Sequence, residues 1–432
     1  METKEMQKIG KRNMKLFPTY KKFSCDYLFY YTVDFLFLTQ IKNISAANVV
    51  LMSSITALFK IFLQIPANII VEFFGRRNSI IIGNILNCLY MVIFMMSGSL
   101  FDLILAKFVS ALAWSIKDIA EPSLLNASIP PSRYKSDIFS KINAKGTSGY
   151  YMLGAMSRMI AGFLFSINGY LPMICSLAVL IIVTLMSLFY IEPIKKQKTK
   201  NNEIAVKKQI EDIKEGFMFV MKSNRLKALI LGASLIASLL NIMLNYQTSL
   251  FQDLELSASS IGILAAVISL SSAYASKKQK AFHEKFRNKS ILTIGLMASI
   301  SSAFAGIAGL KANECSALIL IIILLYVVER FSHGMFYTII DRYFTNFTNK
   351  KIDTKIFAVK NLFVNIISAI MGIMASFILD KMSTAYCMII IGVIFTILYI
   401  LTEKYMKTRV GLKPEEYSKE ERKYDELKEV HT

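Results

Sequence analysis

Long apolar runs alternate with short polar intervals along the chain. Twelve runs, at about 23–40, 48–71, 80–96, 100–121, 139–165, 171–190, 228–251, 261–276, 291–310, 317–340, 357–379 and 384–401, approach the length needed to cross a bilayer, roughly 20 mostly apolar residues in a helix. They predict an all-α integral membrane protein with twelve transmembrane helices. The longest polar interval, 191–225, divides them into six and six. Inside it, "EIAVKKQIEDIKEGFMFVMK" repeats Ile204, Ile210, Ile213, Phe217 and Val220 at helical spacing among lysines and glutamates. That pattern predicts an amphipathic helix lying on the inner membrane surface. The expected organisation is a six-helix half at 1–190, a cytoplasmic linker at 191–225, a second six-helix half at 226–403 and a charged cytoplasmic tail at 404–432. The tail, "KPEEYSKEERKYDELKEVHT", is nearly free of aliphatic residues and is expected to be solvated.

Composition agrees: 54% of the 432 residues are hydrophobic and 12% aromatic. The net charge of +20 would suggest nucleic acid in a soluble protein, but the cations follow the membrane. Seven precede the first run, Arg76 and Arg77 follow the second, Arg133 and Lys135 the fourth, and ten lie between Lys195 and Lys227. Alternate intervals hold only Lys42, Lys311 and Lys381. By the positive-inside rule both termini are cytoplasmic and the number of spans is even. No nucleic-acid partner is expected. The five cysteines form no CxxC pair, so neither a disulfide framework nor a zinc site is indicated. No cleavable leader is expected, because the first run carries Asp26 and Asp34 and leads straight into the next. Neither a phosphate-binding GxxxxGK[ST] loop nor a GxSxG elbow occurs, which argues against ATP as energy source and against an enzyme.

The halves echo each other. "VEFFGRRNSI" follows the second run and "HEKFRNKSIL" the eighth; each has a glutamate (Glu72, Glu284), a phenylalanine two residues on and a cation five residues on (Arg77, Lys289). Weak internal symmetry of this kind marks duplicated transporter folds. The stretch "IPANIIVEFFGRR", residues 65 to 77, also resembles the G-x-x-x-D-R-x-G-R-[KR] loop between spans 2 and 3 of the major facilitator superfamily. Asn68 stands at the first glycine, Glu72 at the acid and Phe73 at the first arginine, while Gly75, Arg76 and Arg77 match. It is similar to the "IPTG…D…GRR" form of bacterial efflux-type members. The glycine-rich G-P-x-x-G-G of span 5 in antiporters is mostly lost in Ser157-Arg158-Met159-Ile160-Ala161-Gly162.

The resemblance covers about residues 15 to 403. It implies a 6+6 fold working by alternating access, proton-coupled efflux of a small molecule, no cofactor or metal, and a monomer in the plasma membrane. It also implies a conformational latch. Glu72 is expected near the start of the eleventh span, at Asp353 and Thr354, where the positive helix end favours a carboxylate. Gly75 permits the turn, and Arg76 and Arg77 hold the inner surface or pair with Glu121 or Asp137. Glu284 and Lys289 are the counterparts in the second half.

Charges deep in a membrane are functional candidates by default, and helical spacing shows which polar residues share a face. The first run aligns Tyr27, Tyr30, Tyr31 and Asp34; the second Ser53, Thr56, Lys60 and Gln64; the fourth Lys107, Ser110, Trp114, Asp118 and Glu121. The seventh aligns Ser234, Ser238, Asn241, Asn245 and Thr248, the tenth holds Glu329, Arg330 and His333, and the eleventh Asn361, Asn365, Ser368 and Gly372. The resemblance places these faces along a central cavity. Asp34 is either the protonatable coupling group or half of an ion pair with Lys60 or Arg158, and Glu329, beside Arg330, is the rival proton site. Trp114 and the tyrosines either stack on substrate or pack between helices; His333 is a ligand or an interhelical hydrogen-bonder. His283 is expected in a cytoplasmic loop without special role. Lys60, Lys107, Arg158 and Arg330 outnumber Asp34 and Glu329, so the cavity is expected to lean positive. Two alternatives stay open: an importer of an anionic or zwitterionic metabolite, and a membrane scaffold or sensor that does not transport.

Overall fold

The computed structural model describes residues 2–130, 135–193, 202–286, 289–347 and 353–407. These are helical almost throughout: α1 (Glu2–Ser24), α2 (Asp34–Leu36), a π-helix (Phe37–Ile41), α3 (Ala46–Phe74), α4 (Arg76–Met96), α5 (Leu100–Ser128), α6 (Lys135–Ile167), α7 (Leu171–Leu188), α8 (Asn202–Lys222), α9 (Asn224–Asp253), α10 (Ala258–Phe286), α11 (Ser290–Gly309), α12 (Ala317–Phe347), α13 (Asp353–Leu379) and α14 (Thr384–Lys407). Among the described residues, ten helices are long and apolar enough to cross a membrane: α3, α4, α6, α7 and α9 to α14. The two other apolar runs differ for identifiable reasons. Five charged residues, Asp102, Lys107, Lys117, Asp118 and Glu121, lower the apolarity of α5. The first run is not one helix at all.

That run was expected to be continuous from residue 23 to 40. Instead, α1 starts far upstream, buries Phe17 and Tyr20, and ends at Ser24. Residues 25–33 then form turns, with Phe29 at φ 65°, before the three-residue α2 and the π-helix. Two local causes act together. Phe29 to Val33 is an unbroken series of aromatic and β-branched residues, which lose side-chain freedom in a helix. The Asp26 carboxylate also accepts the N–H of Tyr27 (3.1 Å), a bond that competes with helical pairing.

The chain divides into two compact units. One comprises Met1–Ile44, Ile55–Lys207 and Ser257–Ala266; the other Ser45–Ser54, Lys208–Leu256 and Val267–Thr432. In the first, Phe17, Tyr20, Ile80, Ile116, Leu124 and Val183 share a buried core drawn from α1, α4, α5 and α7. There too α6 meets the start of α10 backbone to backbone: a Cβ on Gly162 would lie 2.9 Å from the Gly262 Cα, so only glycine fits. In the second, Tyr246 of α9 donates to the Ala375 carbonyl of α13 (2.7 Å). The amphipathic segment forms α8; Phe219 and Val220 are buried, and Phe217 stacks on Phe363 of α13 at 6.0 Å. The side chains of Ile204 and Ile210, and the tail from residue 408, lie outside the described residues.

Candidate functional site

The loop between α3 and α4 is built on Gly75, whose φ of 80° and ψ of 166° belong to a region that non-glycine residues essentially avoid. The turn delivers both arginines onto Glu192, just beyond α7. Arg76 Nη1 donates to Glu192 Oε1 (3.2 Å) and the Arg77 backbone N–H to Oε2 (2.8 Å), so one carboxylate closes the open N-terminus of α4. Arg76 Nε also donates to Ser123 (2.9 Å) and Arg77 Nη2 to the Leu188 carbonyl (3.0 Å). The expected partner Glu121 is not engaged, because three other groups already occupy it. The side chains of Asp137, Asp353 and Thr354 lie outside the described residues. Glu72 makes no ion pair among the described residues. It lines, with Arg12, Phe73, Arg76, Arg77 and Glu192, a cleft of about 750 Å³. In the second unit Glu284 and Lys289 are exposed, Lys289 at the N-cap of α11. His283 is buried rather than in an open loop, with Nδ1 3.0 Å from Ser290 Oγ and its ring edge-on to Tyr343.

Deeper in the first unit, the interrupted first span brings an aromatic and polar cluster together. Tyr27 donates to Asn87 Oδ1 (2.7 Å), lies 3.1 Å from Ser110 Oγ and accepts from Trp114 Nε1 (2.9 Å). Tyr30 shares a 2.6 Å hydrogen bond with Tyr90 and accepts from Lys107 (3.3 Å). Lys107 also sits 5.7 to 5.9 Å from the ring centres of Tyr30, Tyr90 and Phe94, within cation–π range. Tyr31 is 41% exposed where its neighbours are buried, so its face is the accessible one. Gln64 is half-buried on α3. Toward the α1 end, Glu121 accepts from Lys21 (2.8 Å) and Tyr20 (2.9 Å) and pairs with Lys117 one turn away (3.6 Å).

The second unit is organised differently. Glu329 and Arg330 of α12 are 1% and 7% exposed and pair at 3.3 Å. Among the described residues, neither Glu329 oxygen, nor Arg330 Nη2, has a hydrogen-bond partner. His333 is half-buried one turn on. The α9 stripe splits: Ser238 lies 3.0 Å from Ser368 of α13, whereas Asn241 is exposed and Asn245 donates to Ser53 (3.3 Å). On α13, Asn361 is exposed and Asn365 half-buried.

The charge balance departs from expectation. Lys107 acts electrostatically on Asp34, Arg158 on Asp26, and Lys60 on Asp118, which is exposed. Asp34 therefore faces neither Lys60 nor Arg158 as its main cation. With Arg330 beside Glu329, each of the four cations counted along the chain has a carboxylate acting with it, while Lys21 and Lys117 share the single Glu121.

The sequence model of the Major Facilitator Superfamily matches residues 23–308 and 249–430. The chain belongs to this superfamily. No protein of curated function matches the sequence. Among solved structures, a point mutant of the nucleoside transporter NupG is similar at a TM-score of 0.72 and 11% identity, covering 91% of this chain and 99% of that one. A bacterial homolog of the human lysosomal transporter Spinster, inward-facing and unoccupied, gives 0.68 and 15%, covering 95% and 99%. A D-xylose-proton symporter gives 0.65 and 12%, covering 96% and 100%. At such identities these likenesses establish the fold alone. The protein is a multi-pass membrane transporter of the superfamily's type, and its substrate class is a small molecule.

Within this superfamily member, several site residues carried no signal along the chain. Glu192 meets Arg76 across 116 positions, although an acid directly after an apolar run was a usable hint. Asp26, which accepts from Tyr150 (3.1 Å), and Lys117, which donates to the Ser24 carbonyl (3.2 Å), were visible as intramembrane charges. Tyr90 and Asn87 were not, because neither carries a charge, although they share the buried face of α4 with Ser79 and Asn84.

Proposed function

We propose that this transporter is a proton-coupled exporter of small molecules working by alternating access, with Glu329 as the coupling group. The observation that carries the proton assignment is the buried Glu329, whose oxygens, beyond the Arg330 ion pair, find no hydrogen-bond partner among the described residues. A buried carboxylate is otherwise supported by several donors, so an unoccupied one is suited to accept and release a proton. Asp34, partly exposed beside Lys107, is the second candidate. The direction rests on the "IPANIIVEFFGRR" resemblance. In this reading α5 and the interrupted first segment join the ten apolar helices as twelve spans, six in each half, at 1–190 and 226–403. Residues 191–225 form the cytoplasmic linker, 404–432 a cytoplasmic tail, and both termini face the cytoplasm. The protein acts as a monomer in the plasma membrane. Glu72 with Gly75, Arg76 and Arg77, and Glu284 with Lys289, are inner latches of the cycle.

Proteoliposomes with an imposed pH gradient test this, using labelled uridine, D-xylose and ethidium. Solute leaving against its gradient as protons enter is the expected result. Solute entering together with protons would make the protein an importer. No flux of any probe under either gradient would sink the transport reading in favour of a scaffold or sensor.

A further inference from the structure

The interruption of the first span leaves hydrogen-bonding capacity exposed halfway along the helices that surround it. Tyr27 is bonded to Asn87, the twelfth of the 21 residues of α4, and to Ser110 on α5. At this depth water does not satisfy backbone groups, and non-helical backbone persists only where it lines a cavity or is buried in protein. Yet the helical ladder is interrupted here: residues 28–33 are held in turns, with the Val33 and Asp34 N–H groups both donating to the Tyr30 carbonyl (3.0 and 2.9 Å). Three side chains at the break are unsatisfied. Among the described residues, Ser24 Oγ, Thr32 Oγ1 and Asn87 Nδ2 find no hydrogen-bond partner, in residues 2%, 4% and 0% exposed. The charges around the break, by contrast, are matched: Lys117 holds the Ser24 carbonyl at the end of α1, Arg158 acts on Asp26 and Lys107 on Asp34.

Unsatisfied donors and acceptors among balanced charges, flanked by the accessible face of Tyr31 and by Trp114, define a ligand chemistry. We infer that the broken first span is the solute-recognition element of this transporter, and that its ligand is a small net-neutral solute with a ring bearing several hydroxyl or amide groups. The freed main chain, with Ser24, Thr32 and Asn87, supplies the hydrogen bonds, and the aromatic faces supply the stacking. The inference rests on the transporter reading and gives that reading its substrate class. A cation is disfavoured because Lys117 already occupies the negative end of α1, and an anion because the cations here are already engaged, Lys107 with Asp34, Arg158 with Asp26, and Lys21 and Lys117 with their shared Glu121.

The test is ligand-dependent thermal stabilisation of the full-length protein in detergent, with uridine and D-xylose as neutral probes, succinate as the anion and tetraphenylphosphonium as the cation. A neutral probe should stabilise the protein and the charged ones should not. Thr32→Val should weaken that probe's binding by roughly three- to tenfold, the worth of one hydrogen bond. It should leave the melting temperature without ligand unchanged or higher, since it removes an orphaned hydroxyl. Phe29→Gly and Phe29→Ala both delete the ring, but only glycine accepts φ 65° freely. The glycine variant should therefore bind about five- to thirtyfold more tightly than the alanine variant. Stabilisation by succinate or tetraphenylphosphonium alone, by no neutral probe, or equal binding by wild type, Thr32→Val and both Phe29 variants would overturn the inference. If gradient-driven flux of a probe persists in that last case, the transporter reading stands without it.

Discussion

Two buried glutamates, one in each unit, show how differently this protein treats charge inside its apolar helices. Glu121 of α5 is held by Lys21, Lys117 and the Tyr20 hydroxyl. Glu329 of α12 is just as buried but, among the described residues, pairs with the neighbouring Arg330 at 3.3 Å and has no hydrogen bond to either oxygen. A carboxylate with three partners is structural: it fixes α1 against α5, and its protonation would break a network. A carboxylate with one partner and free lone pairs has room to take up a proton without breaking a hydrogen-bond network, its cost being the Arg330 charge left without its acid. The comparison separates charges that build the fold from charges left available to a transport cycle.

The sharpest way to break the comparison is at Glu121. Glu121→Ala leaves Lys21 and Lys117 without their acid, and removing one partner of a buried ion pair costs about 3–5 kcal/mol. A large fall in detergent melting temperature is expected, and an unchanged one would show that the network is not structural. Gly75→Ala comes next. Alanine in that backbone region is strained by about 1–3 kcal/mol, which should lower the melting temperature and loosen the start of α4, read by amide hydrogen exchange across residues 76–79. A smaller effect is expected at the α4 N-terminus, where the Arg76–Glu192 pair is partly solvent-exposed. Glu192→Gln should cost about 1 kcal/mol or less and remove salt dependence from the melting temperature. Glu329→Gln leaves the buried Arg330 without its acid, so it too should lower the melting temperature, by less than Glu121→Ala, which strips two cations and a hydroxyl of their partner.

The same contrast explains how far the sequence could be followed. The apolar runs reported the helices well because bilayer-length segments are long, and the signature loop was legible through Gly75 and its two arginines. The break at residues 25–33 was hidden by its own hydrophobicity: "CDYLFYYTV" is apolar enough to read as membrane helix, and periodicity does not register that aromatic and β-branched residues disfavour helical backbone. The lysine-rich α1 hid the opposite error, since Phe17 and Tyr20 place a charged-looking segment in the core. Pairings such as Arg76 with Glu192, or Asp34 with Lys107 rather than Lys60, depend on helix rotation in space. The apparent positive surplus arose for that reason, because Asp26 and Asp118 could not be matched to their cations along the chain.

The most direct test is solute flux driven by a pH gradient in proteoliposomes containing wild-type protein or Glu329→Gln, with the folding of each confirmed by thermal melting. The proposal requires that the gradient drive labelled uridine or D-xylose in wild type and lose its influence in the variant. A Glu329→Gln protein that still responds to the gradient at the wild-type rate would contradict the assignment of this carboxylate as the coupling group.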